Sequence, residues 1–106
     1  MYIPLPFREQ NQAELLKLIE QYPLGTLITV IDGRPEVTHL PFIHLVDTQG
    51  ESRLCAHVAK GNTVWKAVQD GDEVMVVFQG ENAYISPGWY PGKQETHRQV
   101  PTWNYQ

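Results

Sequence analysis

Leu54–Lys66, LCAHVAKGNTVWK, is the stretch on which the fold turns. Leu54–Val58 reads as a strand, Ala59-Lys60-Gly61 as a short turn, and Asn62 as the cap of a helix carrying Val64, Trp65 and Val68. A helix start leaves backbone N–H groups unpaired and carries partial positive charge. Lys60 adds a full charge at that point, and Gly61 lets the backbone come close to whatever binds there. The stretch therefore has two readings: a cradle for phosphate, or an ordinary strand-turn-helix junction with a solvated lysine.

Upstream, the strand extends back to Glu51, with Arg53, Cys55 and His57 on one face and Ser52, Leu54 and Ala56 on the other. Before it, Leu24–Ile31 (LGTLITVI) is rich in β-branched residues, and Asp32-Gly33 is a tight-turn signal. The next strand, about Pro35–Leu45, should fold back as a hairpin. Within it Pro41 has no N–H to give, so the strand is expected to lie at an edge there or to carry a bulge. Asn11, with Glu14 three residues on, resembles a capping box, and the helix it opens should end at Tyr22-Pro23. Met1–Phe7 should be extended because of Pro4 and Pro6.

Downstream, Val74–Phe78 (VMVVF) is a continuous apolar run, expected to be a central strand covered on both faces. A tight turn around Gly80 should return Ala83–Ser86 as a fifth strand. Pro87–Arg98 reads as an irregular loop bearing Trp89, Tyr90 and Lys93, and Val100–Tyr105 as a sixth strand. Short strands, tight turns and two brief helices predict a mainly β (α+β) domain, a small antiparallel β-barrel with the second helix outside it.

The chain has 106 residues, enough for one domain with a small core, and small domains often oligomerise to bury more surface. Three Trp and five Tyr would suit an aromatic interface or a flat ligand. Twelve acidic against eight basic residues, with no run of like charge, argue against non-specific binding to nucleic acid or an anionic membrane. A lone cysteine, Cys55, cannot form an internal disulfide and reads as a small buried hydrophobe. With no signal peptide or membrane span in view, a soluble, cytoplasmic protein is expected.

The residues that carry chemistry offer no sharp motif. His39, His44, His57 and His97 have no metal-binding spacing, so no metal site is expected. Ser86 lacks the glycines of a nucleophile elbow, and there is neither a GxGxxG nor a Walker loop. What remains is the chemistry of a larger ligand: an anion site at Lys60, hydrogen bonders Thr38, His39 and Gln79, and flat walls from Trp89, Tyr90, Trp103 and Tyr105. Each has a structural alternative. His39 and His57 are equally readable as half-buried structural histidines, and Trp65 as core.

MYIP, QYPLGTL, THLPF, HVAKGNTVW, VVFQG, AYISPGWYPGK and VPTWNY, in that order along nearly the whole chain, resemble the PaiB family of FMN-binding negative transcriptional regulators. The resemblance implies an FMN-binding split barrel related to the pyridoxamine-phosphate-oxidase-like flavoproteins, over residues 1–106, working as a homodimer with flavin at its interface. By the match, Lys60 and Asn62 fall where that fold takes the FMN phosphate. Thr38, His39 and Leu40 fall on the strand bordering the ring and ribityl chain, and Trp89, Tyr90 and Lys93 on the distinctive loop. Members of the family are usually about twice as long, so this chain is expected to be a short or truncated member.

Three functions follow. The first is a flavin-binding regulator acting through flavin or a partner, since acidic charge and the lack of a helix-turn-helix pattern sit badly with strong direct DNA binding. The second is a flavin-dependent reductase or oxidase of a small molecule, in which His39 or His57 would transfer protons, so whether the chain is an enzyme stays open. The third is a cofactor-free oligomerisation module.

Overall fold

The hairpin between the first two strands shows how local sequence sets this architecture. Strand β1 (Leu24–Ile31) and strand β2 (Arg34–Val46) are joined by Asp32 and Gly33, both at positive φ (51° and 75°). That is the two-residue turn whose twist matches the strands. Ile31 pairs with Arg34 and the register runs back to Leu24 opposite Pro41. The computed structural model describes residues 2–92, 95, 97 and 99–106.

With a two-residue turn, Ile31 and Arg34 form the hydrogen-bonded pair, and alternate positions of β2 turn their backbone polar groups away from β1. Pro35 and Pro41 both occupy such positions, so neither costs the β1–β2 ladder a bond. Their effect falls on the other side. Strand β3 (Ser52–Ala56) pairs with β2 only from Phe42 onward, one residue beyond Pro41. Pro41 is thus the point where β2 changes partner, which resolves the edge-or-bulge expectation.

Strand β4 (Met75–Val77) pairs with the other side of β1, completing a four-stranded antiparallel sheet in the order β3-β2-β1-β4. Strands β5 (Asn82–Ile85) and β6 (Thr102–Tyr105) pair only with each other, Tyr84 opposite Trp103. The fold is a small, split-barrel-like α+β arrangement of antiparallel strands with two short helices, as expected. Two details differ. VMVVF is an edge of its sheet, not a doubly covered centre: Met75 is 61% exposed and Val77 43%. The segment after Gly80 pairs with β6 and not back onto β4, because Gly80 donates to Gln106 and Gln106 donates to Glu81, fixing the base of the β5–β6 hairpin instead.

Helix α1 (Gln12–Gln21) is capped by Asn11, whose side chain accepts from the Ala13 N–H. The capping box is only half as expected: Glu14 bonds Lys17, while Glu9 accepts from the Asn11 N–H. The helix packs along β2, and Phe42 N–H donates to the Pro23 carbonyl. Helix α2 is one turn, Val64–Ala67, with Val64 buried and Trp65 half exposed, so the expected core residue of this pair is the valine.

The pleat sorts side chains cleanly. One face of the sheet holds Gly25, Thr29, Leu40 and Phe42, all buried, with the Phe78 ring meeting Phe42 edge-on at 5.7 Å. The Thr29 hydroxyl is buried there without a hydrogen-bond partner among the described residues. The opposite face, with Leu24, Val30, Val37, Ile43, Met75 and Val77, is uncovered. Cys55 shares that face and is half-buried. The radius of gyration, 18.7 Å, is well above the roughly 13 Å of a closed domain this long.

Candidate functional site

The turn leaving β3 is built by short-range hydrogen bonds. By the register of β2 and β3, His57 is the residue that would next meet Pro41, and the strand ends one residue earlier, at Ala56. The backbone then closes a turn in which Asn62 N–H donates to the Ala59 carbonyl. The Asn62 side chain accepts from the Val64 N–H at 3.0 Å, but the N-cap of the helix is Thr63, which makes no side-chain capping bond, so the cap expected at Asn62 becomes a turn bond one residue ahead of it. Lys60 and Gly61 ride exposed at the apex. Among the described residues Lys60 has no ion-pair partner.

Trp65 braces this turn. Its indole N–H donates to the Lys60 carbonyl at 3.3 Å, and the Lys66 ammonium sits over its ring, 5.1 Å from the centroid. Trp65 and Lys66 therefore join the site that the sequence reading confined to Lys60 and Asn62. The available signal is the clustering of a tryptophan and two lysines in AKGNTVWK, where the sequence reading takes Trp65 as core and assigns Lys66 nothing. The Lys60 ammonium, without an ion-pair partner among the described residues, and the Lys66 ammonium over the Trp65 ring put two cations on one short turn, the charge that a phosphate requires. Helix α2 has a single turn, so its dipole adds little and the charge of this candidate site lies on the lysine side chains.

The other candidate residues divide between the two sheet faces. Thr38 and Leu40 lie on the covered face, half-buried and buried respectively, whereas His39 between them points to the bare face beside Thr26, its cross-strand partner. Gln79 follows β4 and is exposed. Trp89 and Tyr90 belong to a short 3-10 turn, Pro87–Trp89, capped by the Ser86 side chain, and both are exposed. Lys93, expected in the same loop, lies outside the described residues. Trp103 and Tyr105 share one face of the β5–β6 hairpin with Tyr84. The structure thus brings Lys60, Asn62 and Trp65 together and leaves the proposed ring-binding residues on separate surfaces of one chain.

A groove between α1 and β2, lined by Ile19, Glu20, Pro23, Phe42, Ile43 and His44, contains none of these candidates. Among the described residues no three of His, Cys, Asp and Glu are grouped as a metal site would need, and no helix is long and apolar enough to cross a membrane.

These features fall within a defined family. Residues 1–106 match the family described as "Putative FMN-binding domain", and the chain belongs to it. The chain is 37% identical to "Protease synthase and sporulation protein PAI 2" of Bacillus subtilis over 106 residues, covering 100% of this chain and 48% of that protein. It is 34% identical over 123 residues to the uncharacterized protein YKL070W of Saccharomyces cerevisiae, covering 99% of this chain and 72% of that one. A third relative, AN0679 of Emericella nidulans, is 30% identical over 131 residues, with 52% of its length covered. The chain spans about half the length of the Bacillus and Emericella relatives.

Proposed function

We propose that this chain is a PaiB-like FMN-binding protein that takes the flavin phosphate at the Lys60 turn and acts in negative control of transcription, through flavin or a partner. The observation that carries the reading is the Lys60 ammonium, without an ion-pair partner among the described residues, on a turn braced by Asn62 and Trp65, in a chain matched over its whole length by the family described as "Putative FMN-binding domain". Lys60 would pair with the phosphate, Lys66 would add to the local positive charge, and the turn amides would complete the donor set. Bound flavin supplies redox chemistry of its own, so the protein's part is to hold and orient it. A homodimer with flavin at its interface accounts for the division of the other candidates between surfaces, since a second copy would supply the walls that one chain leaves apart.

Net charge of −4 supports regulation without a tight DNA complex. The test is FMN titration by fluorescence quenching, with Lys60→Ala alongside. Losing a charge-assisted phosphate contact costs about 1.5–3 kcal/mol, roughly tenfold or more in Kd. Saturable binding that Lys60→Ala leaves unchanged would place the phosphate elsewhere. A sequence-specific, salt-dependent gel shift by the purified protein would overturn the indirect mode of regulation.

A further inference from the structure

We propose that Trp65 is a positioning residue for a phosphate at the Lys60 turn: one indole holds the Lys60 carbonyl through its N–H and the Lys66 ammonium over its ring, and so sets two cations for a terminal phosphate. The inference rests on the phosphate reading above. It adds the residue that arranges the charges and the class of phosphate they fit.

Packing does not account for where Trp65 stands. The buried residue of helix α2 is Val64, whereas Trp65 is 53% exposed. An indole left half in water forgoes much of the apolar burial that tryptophan brings to a core. It makes two polar contacts instead: its N–H meets the Lys60 carbonyl at 3.3 Å, and the Lys66 ammonium lies 5.1 Å from its ring centroid. The first contact reaches five residues back and the second one residue ahead, so a single side chain ties the apex of the turn to the helix.

The two contacts act differently. The turn itself is closed by the Asn62 N–H on the Ala59 carbonyl, and the indole N–H adds a tether on the backbone that carries Lys60. At 3.3 Å that bond is long for N–H···O, so its share is the smaller one. The ring does for Lys66 what a carboxylate could not. A carboxylate would order the lysine and cancel its charge, while an indole orders it and leaves the charge whole. Neither lysine has a carboxylate partner among the described residues. A lysine loses much side-chain freedom on meeting an anion, and one already lying on a ring has lost part of it beforehand.

Charge gives the ligand class. A terminal phosphate monoester carries about −1.5 to −2 at neutral pH, more than the single charge of a diester. Two uncompensated cations on one short turn match the monoester.

Trp65→Phe keeps the ring and removes the N–H, and Trp65→Ala removes both contacts. The purified protein and these variants, checked for folding by circular dichroism, are titrated with FMN, with riboflavin, which lacks the phosphate, and with inorganic phosphate. Phosphate binding is followed by NMR at the Gly61 backbone amide. Trp65→Phe should weaken FMN binding about threefold and Trp65→Ala about tenfold, with phosphate weakened in the same order and riboflavin unchanged. Lys66→Gln should cost affinity in the wild type and much less in Trp65→Ala, where the lysine is no longer held. FMN and phosphate affinities unchanged in Trp65→Ala, an equal loss for riboflavin, or the same Lys66→Gln effect in both backgrounds would each overturn the proposal. If Trp65→Ala does not fold, Trp65→Phe and Lys66→Gln decide by the same comparison of ligands. Phosphate binding that depends on Trp65, without FMN binding, would retain this inference and sink the flavin reading. FMN binding indifferent to Trp65 would do the reverse, and a wild type that binds neither would sink both.

Discussion

Phe42 and Phe78 meet edge to face across Gly25, their ring centroids 5.7 Å apart at an interplanar angle of 76°. A Cβ built on Gly25 would lie 2.8 Å from Phe42 Cδ2 and 2.9 Å from Phe78 Cε1, closer than real side chains pack. The glycine is what lets two aromatic rings from β2 and the end of β4 close over β1. Gly25→Ala should destabilise the protein by about 1–3 kcal/mol through overpacking, read as a lower urea midpoint at unchanged slope. A neutral result would mean that the rings have room to move apart.

Thr29 makes the opposite prediction. It is 3% exposed and its hydroxyl has no partner among the described residues, so the group has left water without recompense. Thr29→Val keeps the branched shape and replaces the hydroxyl with a methyl. Thermal melts should show stabilisation of about 1 kcal/mol. Destabilisation would reveal an ordered water satisfying the hydroxyl.

At the first hairpin, Gly33 has φ of 75° with open space around its missing Cβ. Gly33→Ala therefore isolates a backbone effect, and should cost about 1–2 kcal/mol without disturbing packing. A loss much larger than that would point to a contact at the turn.

Asp47 closes the β2–β3 turn. Its carboxylate accepts from the Gln49 and Glu51 N–H groups, both at 2.9 Å, and pairs with Arg53 at 2.7 Å. The backbone hydrogen bond from Glu51 leads in holding its pKa below the ordinary carboxylate value, with Gln49, Arg53 and Gly50 adding to it against a smaller effect of burial. A depressed folded pKa means stability that is present above the unfolded value of 3.8 and is lost as pH falls through the lower folded one. Urea midpoints should therefore drop in that acid window. Asp47→Asn should remove this part of the slope, and an unchanged acid slope would count against the turn.

Tyr22 behaves in the reverse sense. Burial, then the charge and hydrogen bonding of the nearby Glu81 carboxylate, raise its phenol above 10.0. Its contribution is present below the unfolded pKa and is lost as pH rises through the raised folded value. Ultraviolet titration should show a phenol component above the ordinary tyrosine value that Tyr22→Phe removes. Because Tyr22 ends α1 and Glu81 stands at the hairpin base, Glu81→Gln should lower that component toward the ordinary value while burial still holds it above; no movement would separate the two residues.

Local chemistry made much of this chain legible. Leu24–Ile31 is a strand over the residues expected, because β-branched content and an Asp-Gly turn act within a few residues of themselves. Asn11 caps where it was expected to, because an Asx side chain reaches only the next turn of backbone; Asn62 makes the same kind of short-range bond, to the Val64 N–H, one residue ahead of the Thr63 cap. Lys60 stands exposed at a turn, without an ion-pair partner among the described residues. The choice of partners was not legible. VMVVF looks central by composition, but the β5–β6 register and the Gly80–Gln106 bonds join residues far apart in sequence, and no local signal ranks those pairings. Nor does alternation alone say which face is covered: His39 and Leu40 are neighbours, and only packing puts the leucine inside and leaves the histidine on an uncovered face. The sequence by itself determined the elements, their turns and the charged apex at Lys60, all short-range choices of backbone geometry. The tertiary structure decided which strands meet, where Trp65 braces the turn and which apolar face stays bare, because burial is a property of the whole chain.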